Sequence, residues 1–221
     1  MKKIEAVIFD MDGLMFSTEE LWFKSVRILN RDYGYKVPME LIFLCAGLRD
    51  DKTNQKIQEY MGEDFDINEF RRLSKSIINE DISKNGIKIK PGLFELLDYL
   101  VKNDIKMAIA SSSKLDAIKR TFATANISLE MFSNIVSGEM VVEPKPHPQV
   151  YKTSQELLGI NPDNILVLED SEVGVMSASA AGLKVIMIPD MKEPSIEVEK
   201  LAYKKLNNLN QVIDVIEGLN N

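Results

Sequence analysis

The sequence predicts an α/β fold, a doubly wound parallel sheet into which an α-helical cap is inserted. Short and almost unbroken apolar runs recur along the chain, as parallel strands buried on both faces require. Helical periodicities separate those runs, which is the pattern of a sheet wrapped on both sides. Only the stretch 15–88 departs from the alternation, with helical patterns and no strand.

The first strand is read over Ile4-Glu5-Ala6-Val7-Ile8-Phe9. Ser17-Thr18-Glu19-Glu20 then has the form of a capping box opening a long helix. Along that helix Trp22, Val26, Leu29 and Tyr33 recur at helical spacing and predict its apolar face. Further helical patterns run from Glu40 to Phe43, Thr53 to Met61 and Asn68 to Ile82. Pro91 suits the first turn of the next helix, which carries Leu93, Leu96, Leu97, Leu100 and Val101. A strand over Lys106 to Ala110 is followed by a helix with Leu115, Ile118, Phe122 and Ala125 on one face. Two more strands are expected over Asn164 to Leu168 and Lys184 to Ile188, with a helix of small residues ending at Gly182 between them. The expected organisation is a core of residues 1–14 and 89–221 and a cap of residues 15–88. An insert this close to a strand's carboxyl end lies over the crevice where open α/β sheets bind ligands, which is the position of a lid.

Composition narrows the function. The chain has 221 residues, 45% hydrophobic and 28% charged, which is ordinary globular usage and argues against disorder or a coiled coil. The single cysteine, Cys45, excludes an internal disulfide and fits a reducing cytoplasm. No run approaches the roughly 18 apolar residues of a membrane span, and Glu5 and Asp10 interrupt any signal-like core behind Met1-Lys2-Lys3. A soluble cytoplasmic protein with no membrane partner is expected. The net charge is −7; the insert has 12 basic and 13 acidic residues and the remainder 15 and 21. Neither part is basic, so nucleic acid is excluded as a partner, while a small anion held by a few focused groups and a cation fits. Nothing requires more than a monomer.

Four short motifs carry chemistry, and each also has a plain structural explanation. In Phe9-Asp10-Met11-Asp12-Gly13 the two aspartates point the same way from an extended segment. One carboxylate can attack while the other handles protons; equally, both can be turn formers at a strand end. Ala110-Ser111-Ser112-Ser113 places hydroxyls and free N–H groups before a helix, a phosphate site through Ser111 and Ser112 or an ordinary cap. Glu143-Pro144-Lys145-Pro146-His147-Pro148 is stiffened by three prolines and presents Lys145 as a point charge for phosphate, or simply to solvent. Leu168-Glu169-Asp170-Ser171 offers hard oxygen ligands suited to Mg²⁺, or a capped helix start. All four fall at or just beyond strand ends, on the one edge of a parallel sheet where ligands bind.

With these motifs the sequence resembles the haloacid dehalogenase-like (HAD) hydrolase superfamily, in the group containing β-phosphoglucomutase and many small-molecule phosphatases. Asp10-Met11-Asp12-Gly13 is similar to its first motif, Ser111 to its second, Lys145 to its third and Glu169-Asp170 to its fourth. The resemblance implies that Asp10 attacks phosphorus and forms an aspartyl-phosphate, with Asp12 as acid and then base. It implies Mg²⁺ held by Asp10, the backbone carbonyl of Asp12, and Asp170, with Glu169 either a ligand or behind the ligands. Ser111, Ser112 and Lys145 would hold phosphoryl oxygens. The family's dehalogenases lack the second aspartate of the first motif, so Asp12 implies phosphoryl transfer.

The family's mutases carry a histidine on the first cap helix where this chain has Trp22, and a basic residue before the cap-loop glycine where it has Ala46. The reading is therefore a phosphatase of a small phosphorylated metabolite, a sugar or nucleotide-derived phosphate. The alternatives are a sugar-phosphate mutase and a non-catalytic binding protein, which would be expected to have lost part of the acid set. Trp22 and Arg49 are the cap's specificity candidates. Ser17 stands where many relatives have an aspartate and can still cap the helix. Gln149 replaces another aspartate, which implies a lost structural hydrogen bond. His147 is read as a loop residue, and Cys45 has no visible catalytic partner.

Overall fold

The computed structural model describes residues 3–220; Met1, Lys2 and Asn221, all assigned to the core above, lie outside the described residues. Strand β1, Ala6–Phe9, opens the chain and is followed by four consecutive helices, α1 (Thr18–Asp32), α2 (Met39–Cys45), α3 (Asp50–Met61) and α4 (Ile67–Asn85). Then come α5 (Leu93–Lys102), β2 (Lys106–Ala110), α6 (Leu115–Thr124), β3 (Asn134–Val136) and α7 (Gln149–Leu158). The chain ends with β4 (Ile165–Glu169), α8 (Glu172–Ala180), β5 (Lys184–Met187), α9 (Ile196–Glu199), β6 (Lys204–Lys205) and α10 (Gln211–Asn220). The six strands are ordered β3-β2-β1-β4-β5-β6 and every pairing is parallel. Among the described residues no helix is long and apolar enough to cross a membrane.

Strand alternation builds two cores. Val7, Phe9, Met107, Ile109, Leu166 and Leu168 face one side, where α5, α6 and α10 supply Leu96, Leu100, Ile118, Phe122, Val212 and Ile216. Ala6, Ile8, Ala108, Ala110, Val167 and Val185 face the other and meet Val150, Tyr151, Val175 and Ala178 of α7 and α8. The all-apolar strands follow from this, because neither face has a solvated side. A third apolar cluster is drawn from the helical insert, with Phe23, Val26, Leu29, Ile42, Ile57 and Phe70 at its centre. It is separate from the two clusters of the sheet.

The insert is joined to the sheet by two antiparallel segments. Ser17 N donates to Lys88 O at 2.9 Å, and Lys90 N donates to Met15 O at 3.0 Å. Met15 and Phe16, at the start of the expected insert, are buried in the first sheet cluster.

Several local expectations are corrected. Ser17 makes no capping hydrogen bond through its side chain, and Glu20 pairs with Lys88 at 3.0 Å. The paired hinge segment fixes Ser17 and overrides the capping box. The buried face of α1 is Phe23, Ser25, Val26 and Leu29; Tyr33 falls at the helix end and is 55% exposed. Pro91 precedes the first turn of α5, which starts from Gly92 in a left-handed conformation. A Cβ there would lie 2.3 Å from the Asn210 backbone nitrogen, so only glycine fits. Strands β3 and β6 have no counterpart in the expected set.

Phe122 is fully buried and meets Phe16 and Phe132 edge-on at 5.2 and 5.4 Å. Phe122→Ala should lower unfolding free energy by about 3–5 kcal/mol in a urea titration; a loss below about 1 kcal/mol would contradict this packing.

Candidate active site

Register brings the motif residues together. Phe9 is level with Ile109 on one side and Leu168 on the other, so the residues after these three strands leave the sheet along one edge. Asp10 N still bonds Leu168 O at 3.0 Å, and Ser111 N bonds Val136 O at 3.0 Å.

Lys145 stands at the centre. Its Nζ donates to Asp10 Oδ1 at 2.6 Å, Glu169 Oε1 at 2.6 Å, Tyr151 Oη at 3.0 Å and the Ala110 carbonyl at 3.2 Å. The lysine is 6% exposed, not presented to solvent. Glu169 is fully buried and accepts from five donors. Lys145 Nζ and Tyr151 Oη serve Oε1, while Asp170 N, Ser171 N and Ser171 Oγ serve Oε2. Gly174 makes room for it: a Cβ would lie 1.7 Å from Glu169 Oε1. Tyr151, on the buried face of α7, was not anticipated. Its one sequence signal is a hydroxyl on an aromatic at a core position.

Asp170 is different. It is buried, and its Oδ1 has no hydrogen-bond partner. Gly13, with φ +86°, lets it approach, since a Cβ there would lie 2.1 Å from Asp170 Oδ2. Oxygens of Asp10, Glu169 and Asp170 lie within 4.8 Å of one another. Burial, then Glu169 and Asp10, raise the Asp170 carboxyl well above its ordinary range. Asp10 is also raised, by burial first; the Lys145 ammonium opposes this, and Glu169 and Asp12 reinforce it. Burial alone would lower Lys145, but Asp10 and Glu169 more than offset it and hold the proton on. The carboxylates of Asp10 and Glu169 therefore share one ammonium, and Asp170 makes no bond to it. An orphaned carboxylate oxygen in an all-oxygen donor set is what a hard divalent cation fits. Asp10 and Asp170 have ligand capacity to spare, whereas Glu169 is taken up by its five donors.

Asp12 is half-buried and belongs to the serine run. Its Oδ2 accepts from Ser113 Oγ at 2.7 Å and from Ser111 Oγ at 3.3 Å, and Ser111 Oγ accepts from Ser113 N at 3.0 Å. Burial raises the Asp12 carboxyl and the Ser113 hydroxyl draws it back. Ser112 is half-buried, with its backbone against Gly138, where a Cβ would lie 2.1 Å from the Ser112 oxygen. Ser113, the closest hydroxyl to Asp12, was passed over in favour of Ser111 and Ser112.

From the insert, Glu19 reaches this edge. Its Oε1 accepts from Gly47 N at 3.0 Å, while Oε2 is buried without a partner. Burial pushes its carboxyl up to about 7, opposed by the Gly47 N–H and reinforced by Asp12 and Asp190. Trp22 is half-buried, with an unpartnered Nε1. Arg49 is spent on Asp51 through two bonds of 2.6 and 2.8 Å. Cys45 packs in the insert's apolar cluster. His147 is an exposed loop residue whose Nδ1 accepts from Gln149 N at 3.3 Å. The expected loss at Gln149 is corrected: its Oε1 accepts from Glu143 N at 2.8 Å, so the amide serves where a carboxylate could.

The model of the family "Haloacid dehalogenase-like hydrolase" matches residues 7–188. The chain belongs to this family. A Thermotoga maritima protein named phosphorylated carbohydrates phosphatase is 30% identical over 187 residues, 82% of this chain and 83% of that one. A Drosophila melanogaster protein named "Probable pseudouridine-5'-phosphatase" is 28% identical over 208 residues, 92% of this chain and 88% of that one. Among solved structures, β-phosphoglucomutase from Clostridium difficile superposes with a TM-score of 0.78 at 24% identity, covering 97% of this chain and 96% of that one. This last likeness is one of fold.

The Glu19 carboxyl gives a signed pH dependence. An unfolded glutamate releases its proton near 4.5, and the folded one holds it to about 7. The folded state thus binds more protons in that window, and stability falls as pH rises through it, by on the order of 2–3 kcal/mol from this group. Glu19→Gln should remove this fall. Its stability relative to the unsubstituted protein, read from urea titrations, should be level below pH 4.5 and improve steadily toward pH 7. A pH-independent difference would refute the assignment.

Proposed function

We infer that this chain is a Mg²⁺-dependent phosphatase of small phosphomonoesters, sugar or nucleotide-derived phosphates, working through an aspartyl-phosphate. The observation that carries the reading is Asp10 held by Lys145 beside the orphaned oxygen of Asp170. Family membership and the phosphatase names of the two relatives support it.

The divalent cation would be held by Asp10, the Asp12 carbonyl and Asp170, and would supply charge neutralisation for the transferring phosphoryl group. Lys145 fixes Asp10, leaving the second carboxylate oxygen to attack phosphorus. As the new P–O bond forms, the ester P–O bond breaks and its electron pair leaves with the alcohol oxygen. Asp12, poised by Ser113 and Ser111, gives that oxygen its proton; burial raises its carboxyl, the direction a proton donor needs. Asp12 then takes a proton from water, which attacks phosphorus, frees Asp10 and releases inorganic phosphate. Ser111 and Ser112 steady phosphoryl oxygens, and Lys145, whose N–H groups are already engaged, contributes the charge of its ammonium. Glu169 stands behind the ligands and fixes Lys145. The helical insert covers the edge, hinged on the paired segments 15–17 and 88–90, and Trp22 in place of a histidine favours transfer to water over return to a sugar.

A panel of phosphomonoesters with Mg²⁺ should release phosphate, chelation with EDTA should stop release, and added Mg²⁺ should restore it. Asp10→Asn should reduce turnover at least 10³-fold, on the order expected for loss of a nucleophile. Isomerised sugar phosphate without free phosphate would replace this reading with a mutase, and turnover surviving in Asp10→Asn would remove the covalent step.

A further inference from the structure

One buried hydroxyl at the sheet edge takes no part in the steps above. Tyr151 is fully buried, on the face of α7 that carries Val150 toward the sheet. Its ring lies in an apolar cluster with Ala6, Ala110, Val167 and Val175, where phenylalanine, lacking only the hydroxyl, would fill the same space. A buried hydroxyl is costly unless it is bonded, so the phenol is explained by what it meets. Its Oη donates to Glu169 Oε1 at 2.6 Å and accepts from Lys145 Nζ at 3.0 Å. The same ammonium lies 4.8 Å from the centre of the ring, a distance at which a cation is attracted to an aromatic face. Burial and the Glu169 charge hold the phenol protonated well beyond its ordinary range, so it remains a donor.

An ammonium has three N–H groups, and this one has four acceptors. Asp10 Oδ1 and Glu169 Oε1 lie at 2.6 Å, Tyr151 Oη at 3.0 Å and the Ala110 carbonyl at 3.2 Å. The two carboxylates are the nearer and the charged acceptors and take one N–H each. The third is left between the phenol and the carbonyl. Asp10 and Glu169 thus compete for one cation. Among the described residues Glu169 Oε1 has a single other donor, the Tyr151 O–H. Without that hydroxyl the ammonium alone would answer this oxygen, and it would be drawn toward Glu169 and away from Asp10.

We propose that Tyr151 is a positioning residue for phosphoryl transfer: its hydroxyl meets part of the demand of Glu169, which keeps the Lys145 ammonium on Asp10 and the Asp10 carboxylate turned for attack. This rests on the phosphatase reading above. Tyr151 acts through Lys145 and Glu169 and touches no reacting atom.

Tyr151→Phe removes the hydroxyl and keeps the ring. With p-nitrophenyl phosphate and saturating Mg²⁺ its kcat should fall about tenfold, with KM and the Mg²⁺ concentration for half-maximal rate within about twofold of the unsubstituted protein. Its urea midpoint should stay close to that of the unsubstituted protein, whereas Tyr151→Met, which also loses the ring, should be clearly less stable. An unchanged kcat in Tyr151→Phe, or a kcat that falls only as stability falls across the two variants, would reduce the residue to packing. In a Glu169→Gln background the hydroxyl has no carboxylate to satisfy, so adding Tyr151→Phe should cost less than about twofold; additive losses would overturn the proposed route. A readout without turnover is beryllium trifluoride, which with Mg²⁺ mimics a phosphoryl group on an aspartate and is followed by ¹⁹F NMR. Tyr151→Phe should bind it about tenfold more weakly, and equal binding would count against the proposal. If the unsubstituted protein formed this adduct but released no phosphate from any ester, the phosphatase reading would fall and the adduct affinities would still decide the role of Tyr151. Phosphate release matched in Tyr151→Phe would sink this inference and leave that reading standing.

Discussion

The Lys145 ammonium is the only buried lysine or arginine among the described residues, and the sheet edge is organised around it. It ties the end of β1 through Asp10, the end of β2 through the Ala110 carbonyl and the end of β4 through Glu169. A buried charge is tolerable only when paired and hydrogen-bonded, and here each partner is itself fixed. Glu169 cannot turn away without abandoning five donors, and Gly174 leaves it just the space it occupies. The prolines on both sides of Lys145 restrict its loop, which closes on itself through His147 N to Pro144 O at 2.9 Å. The ammonium therefore fixes the geometry of the Asp10 carboxylate while remaining short of the charge needed to neutralise the whole acid set.

That shortfall divides the site into two parts of different character. Around Lys145 every donor meets an acceptor, and the arrangement is rigid. Around Asp170, and in the insert above it, buried oxygens and one indole N–H have nothing to meet. The first part is a scaffold and the second a set of unmet bonding capacities. The insert's apolar cluster is separate from the two clusters of the sheet.

Much of this was legible in the residues. Asp10, Ser111 and Asp170 could be placed because each follows an apolar run, and parallel strands put such positions on one edge; Lys145 lies on a loop beyond β3 and was marked instead by the prolines on both sides of it. Strands β1, β2, β4 and β5 were readable for the same reason, being buried on both faces. Strands β3 and β6 were not: Asn134–Val136 is three residues long, and Lys204–Lys205 has no apolar side chain at all. Local rules failed where distant partners prevailed. Ser17 lost its capping role to a bond with Lys88, and the start of α5 was set by Asn210 pressing on Gly92, not by Pro91. Tyr151, Ser113 and Glu19 escaped because their meaning lies in partners 18, 101 and 28 residues away. No window of sequence contains both ends of such a bond.

The short outer strand has its own consequence. The sheet stops at β6 with two exposed lysines, beside a protein interior made of short, mostly apolar strands. Such strands are natural templates for stacking onto a neighbouring molecule, and an open border would invite that. A foreign segment approaching this border finds two residues of backbone and two charged lysines, of which Lys205 is held by Glu193 and Glu199 at 3.2 and 2.8 Å. The lysines that made β6 invisible as a strand thus protect the protein against self-association into extended sheets.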